Sequence, residues 1–415
     1  MARKAFSYFC RMQKTKGSQI EFIALMAALM SVTALSIDAL LPALDIIGVA
    51  IQTKTPADNQ LLISMIFLGL GLGPLVFGPL ADAKGRKSSV YFGFTVFIIA
   101  SFICMYTRSF EVMILGRILQ GIGLSAPRTI CVAIIRDLYE GDYMARIMSF
   151  VTVVFLLVPI IAPAMGKVIL DIWNWQAIFL VQVIISLFVM LWFWRRQEET
   201  LKPANRIPFS IERITRGFRE TIKYKRTMGF TIIQGFIVGS FIVYISASQQ
   251  IFQNQYGLVD EFPYIFAGLA SAIGAAILLN ANFVVRFGME KIVTGALIGF
   301  FFVSILYVIL FNDVLHPSVY VLIGFFAMQF FCIGFMFGNL RALAMEPVGH
   351  IAGIGAAITG LISTLMAVPI STFIGRFIEE TTLPLFIGFS SCAAISLCIL
   401  FWIKKKAPRT VVLKP

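Results

Sequence analysis

Twelve apolar runs, each long enough to cross a membrane, constrain this chain more than any other feature. A helix of roughly 20 apolar residues spans the hydrocarbon core of a bilayer. Backbone amides in lipid must bond within their own segment, and these runs lack the alternation of a barrel strand. The sequence therefore predicts an all-α membrane protein with 12 transmembrane helices. The spans are predicted at residues 20–43, 59–81, 89–107, 111–135, 147–168, 175–194, 227–250, 262–284, 291–311, 317–340, 351–374 and 383–403.

The distribution of basic residues predicts the orientation. The formal net charge is +13, and a cytoplasmic N-terminus would place 28 of the 34 Lys and Arg residues on the cytoplasmic side and four outside. Cytoplasmic loops carry the excess of Lys and Arg in membrane proteins. Both termini are therefore predicted in the cytoplasm, and the basic excess is assigned to membrane orientation and not to nucleic-acid binding.

A long polar stretch separates two halves of equal span count. The sequence predicts a cytoplasmic N-terminal segment at 1–19, bundles at 20–194 and 227–403, a cytoplasmic linker at 195–226 and a cytoplasmic tail at 404–415. One surface helix is predicted within the linker, at Ile211–Tyr224. Six helices on each side of a linker indicate an internal duplication.

Several classes of function are disfavoured by missing motifs. The six cysteines form no Cys-x-x-Cys or Cys/His spacing, so neither a metal site nor disulfides are expected. No nucleotide-binding Gly-x-x-x-x-Gly-Lys-Ser/Thr loop is found, which argues against ATP-driven pumping. A non-transporting receptor or an intramembrane enzyme is an alternative of another class, and an enzyme is disfavoured because no paired acids or Ser/His set lies within the spans.

Polar residues recur in every third span. The first, fourth, seventh and tenth spans carry them, whereas the third, sixth, ninth and twelfth are nearly free of them. Because polar groups in lipid-facing positions are costly, this period predicts that the polar spans surround an aqueous pathway. The predicted substrate cavity is lined by Ser36, Gln120, Arg128, Gln234, Tyr244, Ser248 and Asn339.

Three ionised side chains lie well inside the predicted spans: Asp38, Arg117 and Arg128. Each costs roughly 2.5–3.5 kcal/mol or more at mid-membrane unless it is paired or hydrated. Asp38 is interpreted as a proton-binding carboxylate at the same depth as Arg117; the alternative is a permanently paired structural acid. Arg117 is interpreted as a structural residue or a modulator of Asp38 in preference to a substrate ligand. Arg128, predicted on the same helix face as Arg117, either anchors an anionic substrate or extends toward the cytoplasm.

The loop between the second and third spans has the composition of a conformational latch. An acid at a helix end, a glycine that tightens the turn and two cations can hold neighbouring helix ends together. An ordinary basic cytoplasmic loop would explain the cations but not the glycines or the acid. The predicted latch consists of Gly78, Asp82, Gly85, Arg86 and Lys87.

The fifth span contains Pro159 and Pro163, with Gly166 on the same face. Proline removes a backbone donor and bends a helix, and small residues let another backbone approach closely. This pattern predicts a mobile bend that contacts a neighbouring helix, and a static kink is the alternative.

Several of these segments resemble known motifs. Gly78–Lys87 resembles the signature loop of the major facilitator superfamily, Leu115–Gly123 its fourth-helix motif, and Pro159–Gly166 its antiporter motif. Further segments are similar to the Bcr/CflA-type drug:proton antiporters of that superfamily, namely Ser36–Leu44, Ala133–Asp137 and Tyr256–Leu258.

The resemblance implies the major facilitator fold, in which two six-helix bundles move around a central site, and a monomeric, multi-pass protein of the bacterial inner membrane. It also implies export of a small amphipathic compound, such as an antibiotic, a metabolite or a siderophore-like molecule, by alternating access. The expected partners are protons, the transported solute and membrane lipid, with a proton gradient in place of a cofactor. Some relatives carry a second acid where this chain has Met30, and this difference together with Arg128 favours a neutral or anionic solute. A proton-coupled uptake symporter for an organic anion is the alternative.

Overall fold

The computed structural model describes residues 18–314 and 316–406. Residues 1–17 of the predicted N-terminal segment and 407–415 of the predicted tail lie outside the described residues.

The described chain is built from α-helices joined by short connections. The first half comprises α1 Gln19–Asp38, α2 Leu44–Ala50, α3 Pro56–Lys84, α4 Arg86–Tyr106, α5 Phe110–Leu138, α6 Gly141–Ile172 and α7 Trp175–Arg196. The rest comprises α8 Ile211–Lys223, α9 Lys225–Gln249, α10 Phe262–Phe287, α11 Met289–Phe311, α12 Val319–Met345, α13 Ala352–Gly375 and α14 Leu383–Lys406.

Eleven helical stretches within the described residues are long and apolar enough to cross a membrane. The longest, Val319–Gly375, contains both α12 and α13. A 3-10 turn at Glu346–Ile351 joins these two helices, and Val348 leaves the helical conformation within it. The predicted all-α membrane architecture is confirmed at this level.

The end of the first predicted span differs from expectation. The apolar run predicts one helix to residue 43, but α1 ends at Asp38 and a 3-10 turn at Leu41–Ala43 leads into α2. Pro42 lies in that turn, and a proline has no backbone N–H to donate to the preceding turn of an α-helix. Asp38 is consequently the last residue of its helix and not a residue one turn inside it.

The described chain divides into two compact units. One runs to Ile211 and includes Asp260–Ala267, and the other comprises Glu212–Val259 and the residues from Gly268 onward. In the first unit, α5 packs against α3 so closely that a Cβ on Gly121 would lie 2.1 Å from the carbonyl oxygen of Ile66. In the second unit, α13 packs against α9, and the hydroxyl of Ser363 donates to the carbonyl of Thr231 at 3.2 Å.

Candidate functional site

Asp38 lies at the C-terminal end of α1 with its side chain buried, 5% exposed. Among the residues that the structure describes, no hydrogen bond or ion pair reaches its carboxylate. A buried carboxylate without a partner is costly to retain in a membrane protein. Asp38 is thus an isolated acid, and the predicted alternative of a permanent ion pair finds no partner in this part of the chain.

Arg117 is fully buried and binds backbone oxygens in place of a carboxylate. Its Nε donates to the carbonyl of Leu62 at 2.8 Å, and both terminal nitrogens donate to the carbonyl of Ser36 at 3.3 Å. The Nη1 atom also donates to the side-chain oxygen of Gln120 at 2.7 Å, whose amide nitrogen donates to the hydroxyl of Ser101 at 2.7 Å. The guanidinium group therefore joins α5 to α1 and α3, and Gln120 extends the network to α4.

Arg128 differs from Arg117 in its surroundings. Both residues lie on α5, but Arg128 is exposed on the surface of the chain and Arg117 is enclosed. The structure therefore does not present two guanidinium groups side by side on one open face.

The other predicted cavity residues are mostly enclosed by helix packing. Ser36, Gln120, Tyr244, Ser248 and Asn339 are buried, whereas Gln234 is half-buried. The Asn339 amide donates to the Asn280 side chain at 2.8 Å, and the Ser248 hydroxyl donates to the carbonyl of Ile245 at 2.8 Å. Solute that reached these groups would have to displace those contacts.

Tyr244 belongs to a cluster of aromatic rings in the second unit. Its ring centroid lies 4.4 Å from that of Phe330 in an edge-on arrangement and 5.0 Å from that of Phe326. Such pairs contribute to stability beyond the area they bury. In this arrangement the Tyr244 ring is part of the aromatic core.

Two of the predicted latch residues, Asp82 and Arg86, form a charge network with Asp137 around the loop between α3 and α4, whereas the Lys87 ammonium group donates to the carbonyl of Trp194 at 3.3 Å. Arg86, with a side chain 5% exposed, pairs with Asp82 at 2.5 Å and with Asp137 at 2.9 Å. Asp82 lies in the last turn of α3, Arg86 begins α4 and Asp137 lies in the last turn of α5. Arg86 thus connects three helix ends through one buried cation. A Cβ on Gly78 would meet no atom within 4 Å, so close packing does not explain that glycine.

Glu199, which follows α7, completes this network and was missed by the sequence analysis. Its carboxylate accepts the backbone N–H groups of Arg86 and Lys87, each at 3.0 Å. The first N–H groups of a helix lack partners within the helix, and negative charge is stabilising there. The next residue, Thr200, donates its hydroxyl to Asp137 at 2.9 Å. The segment after α7 therefore binds both the start of α4 and the end of α5.

Gly85 is required at the centre of this network for two reasons. Its φ of +107° is in the region that favours glycine, and a Cβ there would lie 2.5 Å from a carboxylate oxygen of Glu199. The sequence signal for Glu199 was an acid directly after the basic end of a span, but its partners lie more than 100 residues earlier in the chain.

The proline motif lies in α6, which continues as one helix through Pro159 and Pro163. Gly166 is buried, and a Cβ on it would lie 2.0 Å from the carbonyl oxygen of Ala39. The predicted close approach of a neighbouring backbone is therefore present, and the backbone concerned is the residue after Asp38.

A second charge cluster lies at helix ends of the second unit. Arg226 approaches Glu290 at 3.3 Å and Glu346 at 3.1 Å, and Lys404 lies 3.9 Å from Glu290. Gly288 precedes α11 with a φ of +80°, as Gly85 precedes α4. In the first unit a central cation joins acids at Asp82 and Asp137, and Arg226 has the same role here.

Comparison with known proteins agrees with this architecture. The chain is 29% identical over 329 residues to the MFS-type transporter YdgK of Bacillus subtilis, with 78% of this chain and 80% of that protein covered. It is 26% identical over 359 residues to the bicyclomycin resistance protein homolog of Haemophilus influenzae, with coverage of 85% and 88%. The crystal structure of a D-xylose-proton symporter superposes with a TM-score of 0.67 at 15% identity, covering 94% of this chain and 98% of that one.

The family model for the Major Facilitator Superfamily matches residues 24–368. This region contains the isolated acid, the buried arginine, the charge network and the proline helix described above. The chain therefore belongs to the Major Facilitator Superfamily and is a multi-pass membrane transporter.

Proposed function

We propose that this transporter is a proton-coupled exporter of a small amphipathic organic compound, neutral or anionic, working by alternating access. The observation that carries the proposal is the isolated, buried carboxylate of Asp38 at the end of α1. Burial penalises the charged form of a carboxylic acid and hydration favours it, so alternation between these environments binds and releases one proton. No cofactor is needed, because the proton gradient supplies the energy.

The proposed architecture has twelve spans with both termini in the cytoplasm. Counting α12 and α13 as separate spans converts the eleven apolar stretches into twelve. An even count is consistent with the positive-inside distribution of Lys and Arg. The proposed location is the bacterial inner membrane, with the protein acting as a monomer.

The direction of transport rests on two observations. The relative from Haemophilus influenzae is named for bicyclomycin resistance, and resistance by a transporter requires export. In addition, Pro159 and Pro163 resemble the antiporter motif. An uptake symporter for an organic anion is the second candidate, because Arg128 exposes a cation and the same fold is found in a D-xylose-proton symporter.

Purified protein in liposomes under an imposed pH gradient distinguishes these functions. Bicyclomycin is a suitable first solute, followed by neutral and anionic amphipathic compounds. An exporter that exchanges solute for protons accumulates solute in vesicles with an acidic interior, because protons leave as solute enters. A symporter accumulates it in vesicles with an acidic exterior. Uptake that is indifferent to either gradient, with protein-free liposomes as the control, would contradict proton coupling.

A further inference from the structure

The linker helix α8 presents two adjacent surfaces that the transport mechanism does not use. Arg216, Arg219 and Lys223 are exposed and share one face, because they are three and four residues apart. Together with Glu220 and Tyr224 they line an open surface pocket of about 470 Å³. Cations outnumber acids four to two in this helix. The pocket is therefore a basic surface.

An apolar stripe lies beside this basic face. Ile211, Phe218 and Ile222 are seven and four residues apart, and this spacing places them on one side of a helix. Their exposed fractions are 72%, 39% and 43%. An apolar stripe next to a basic face is the pattern of a helix that lies in the interface of a membrane.

The remaining face of α8 fixes the helix to the second unit. Gly217 is buried, and a Cβ on it would lie 2.4 Å from a side-chain carbon of Ile354 in the first turn of α13. Glu220 also bonds to the imidazole of His350 at 2.5 Å. These contacts are made by Gly217 and Glu220, and the side chains of Arg216, Arg219, Phe218 and Ile222 remain exposed.

The position of α8 along the chain places it at the level of lipid headgroups. Its last residue, Lys223, lies two positions before Lys225, where a membrane-spanning stretch begins. Ile354 likewise lies near the start of α13. A helix anchored at the ends of two membrane helices meets the headgroups and not the bulk solvent.

We propose that α8 is a docking site for an anionic phospholipid. Arg216, Arg219 and Lys223 receive the phosphate of the headgroup, and Phe218 and Ile222 lie against the upper part of the acyl chains. Charge complementarity favours an anionic lipid, and the adjoining apolar stripe favours a lipid over a soluble anion. The inference does not depend on the solute that the protein transports.

Native mass spectrometry of the full-length protein tests this, with phosphatidylglycerol and phosphatidylcholine of identical acyl chains as probes. The wild type is expected to retain phosphatidylglycerol in preference. Juxtamembrane cations contribute about fivefold each to binding of anionic lipid, so Arg216→Gln, Arg219→Gln and Lys223→Gln together should reduce its retention on the order of a hundredfold. Replacing Arg216 and Arg219 by lysine should preserve retention.

The matched control removes the same charge from exposed cations outside α8, with Arg195→Gln, Lys202→Gln and Lys291→Gln combined. This control should retain phosphatidylglycerol like the wild type. An equal loss in both triple variants would overturn a local site, and undiminished retention in the α8 variant would overturn the site itself.

A second comparison separates a lipid site from a phosphate site. Phe218→Ser with Ile222→Ser keeps every cation and should still weaken retention of phosphatidylglycerol. Unchanged retention in that variant, or complete displacement of the lipid by soluble glycerol phosphate, would overturn lipid docking. All substituted positions are exposed, and a melting temperature equal to that of the wild type verifies that each variant is folded.

Discussion

The carbonyl oxygen of Ser36 accepts both terminal nitrogens of the Arg117 guanidinium group, each at 3.3 Å, two residues before Asp38. This contact ties α5 to the end of α1. Arg117 is thus bound to the helix that ends at Asp38, but the two side chains form no ion pair.

Replacing Arg117 by methionine should destabilise the protein by about 3 kcal/mol, because it leaves the buried carbonyls of Ser36 and Leu62 without their charged donor. Thermal unfolding in detergent measures the change as a lower melting temperature. Arg128→Met on the same helix is the matched control and should have little effect, since Arg128 is exposed. An unchanged melting temperature in Arg117→Met would contradict a structural role.

Replacing Gly166 by alanine should lower stability by about 1–3 kcal/mol, because the added methyl would lie 2.0 Å from the Ala39 carbonyl oxygen and the helices must separate. The same melting assay measures it. Gly78→Ala is the control, since a Cβ there meets no atom within 4 Å. Equal melting temperatures for the two variants would show that the contact between α1 and α6 is not tight.

Replacing Glu199 by alanine should release the first turn of α4, because its carboxylate accepts the N–H groups of Arg86 and Lys87. Loss of a helix cap costs about 1 kcal/mol. Hydrogen–deuterium exchange should accordingly become several-fold faster at these amides. Glu198→Ala removes an equal charge from the adjacent exposed position and should leave their exchange unchanged.

Replacing Asp38 by asparagine should abolish solute accumulation driven by a pH gradient, since the amide cannot bind and release a proton in the physiological range. Insertion and purification should be normal, because the carboxylate has no ion pair to lose in the described structure. Asp313→Asn, which changes an exposed acid, should transport normally. Full gradient-driven uptake by the Asp38 variant would remove this acid from the mechanism.

Replacing Arg128 by alanine should weaken transport of anionic compounds by roughly tenfold or more, the value of a charge-assisted hydrogen bond, and affect neutral compounds far less. Competition assays in proteoliposomes with a matched pair of anionic and neutral compounds measure this difference. Arg128→Lys retains the charge and should preserve most of the anion affinity. Equal losses for both compounds would assign Arg128 a structural role.

The apolar runs predicted the helices well because lipid imposes length and hydrophobicity on every span. The surface helix predicted at Ile211–Tyr224 is α8, Ile211–Lys223, since its alternation of apolar and basic residues has the helical period. The predicted end of the first helix was wrong, because a proline inside an apolar run does not show on which side of it the helix ends.

The contacts of the candidate site were less accessible from sequence. Arg117 was singled out because a buried charge is rare in a span, but its partners on the other helices are backbone carbonyls, which every residue has. Glu199 and Arg86 are separated by more than 100 residues, so only the folded chain brings them together. Sequence patterns identified the unusual groups, and packing determined their partners.

The absence of a side chain at Gly166 also has a mechanical consequence. The backbone of α6 approaches the residue that follows Asp38 with no side chain between them, so a displacement of α6 at this point acts on α1 directly. A change in the bend of α6 at Pro159 or Pro163 would therefore also displace the end of α1. Under the proposed mechanism Asp38 would move together with α6, and a stiffer helix at the prolines would slow the transfer of this acid between water and protein interior.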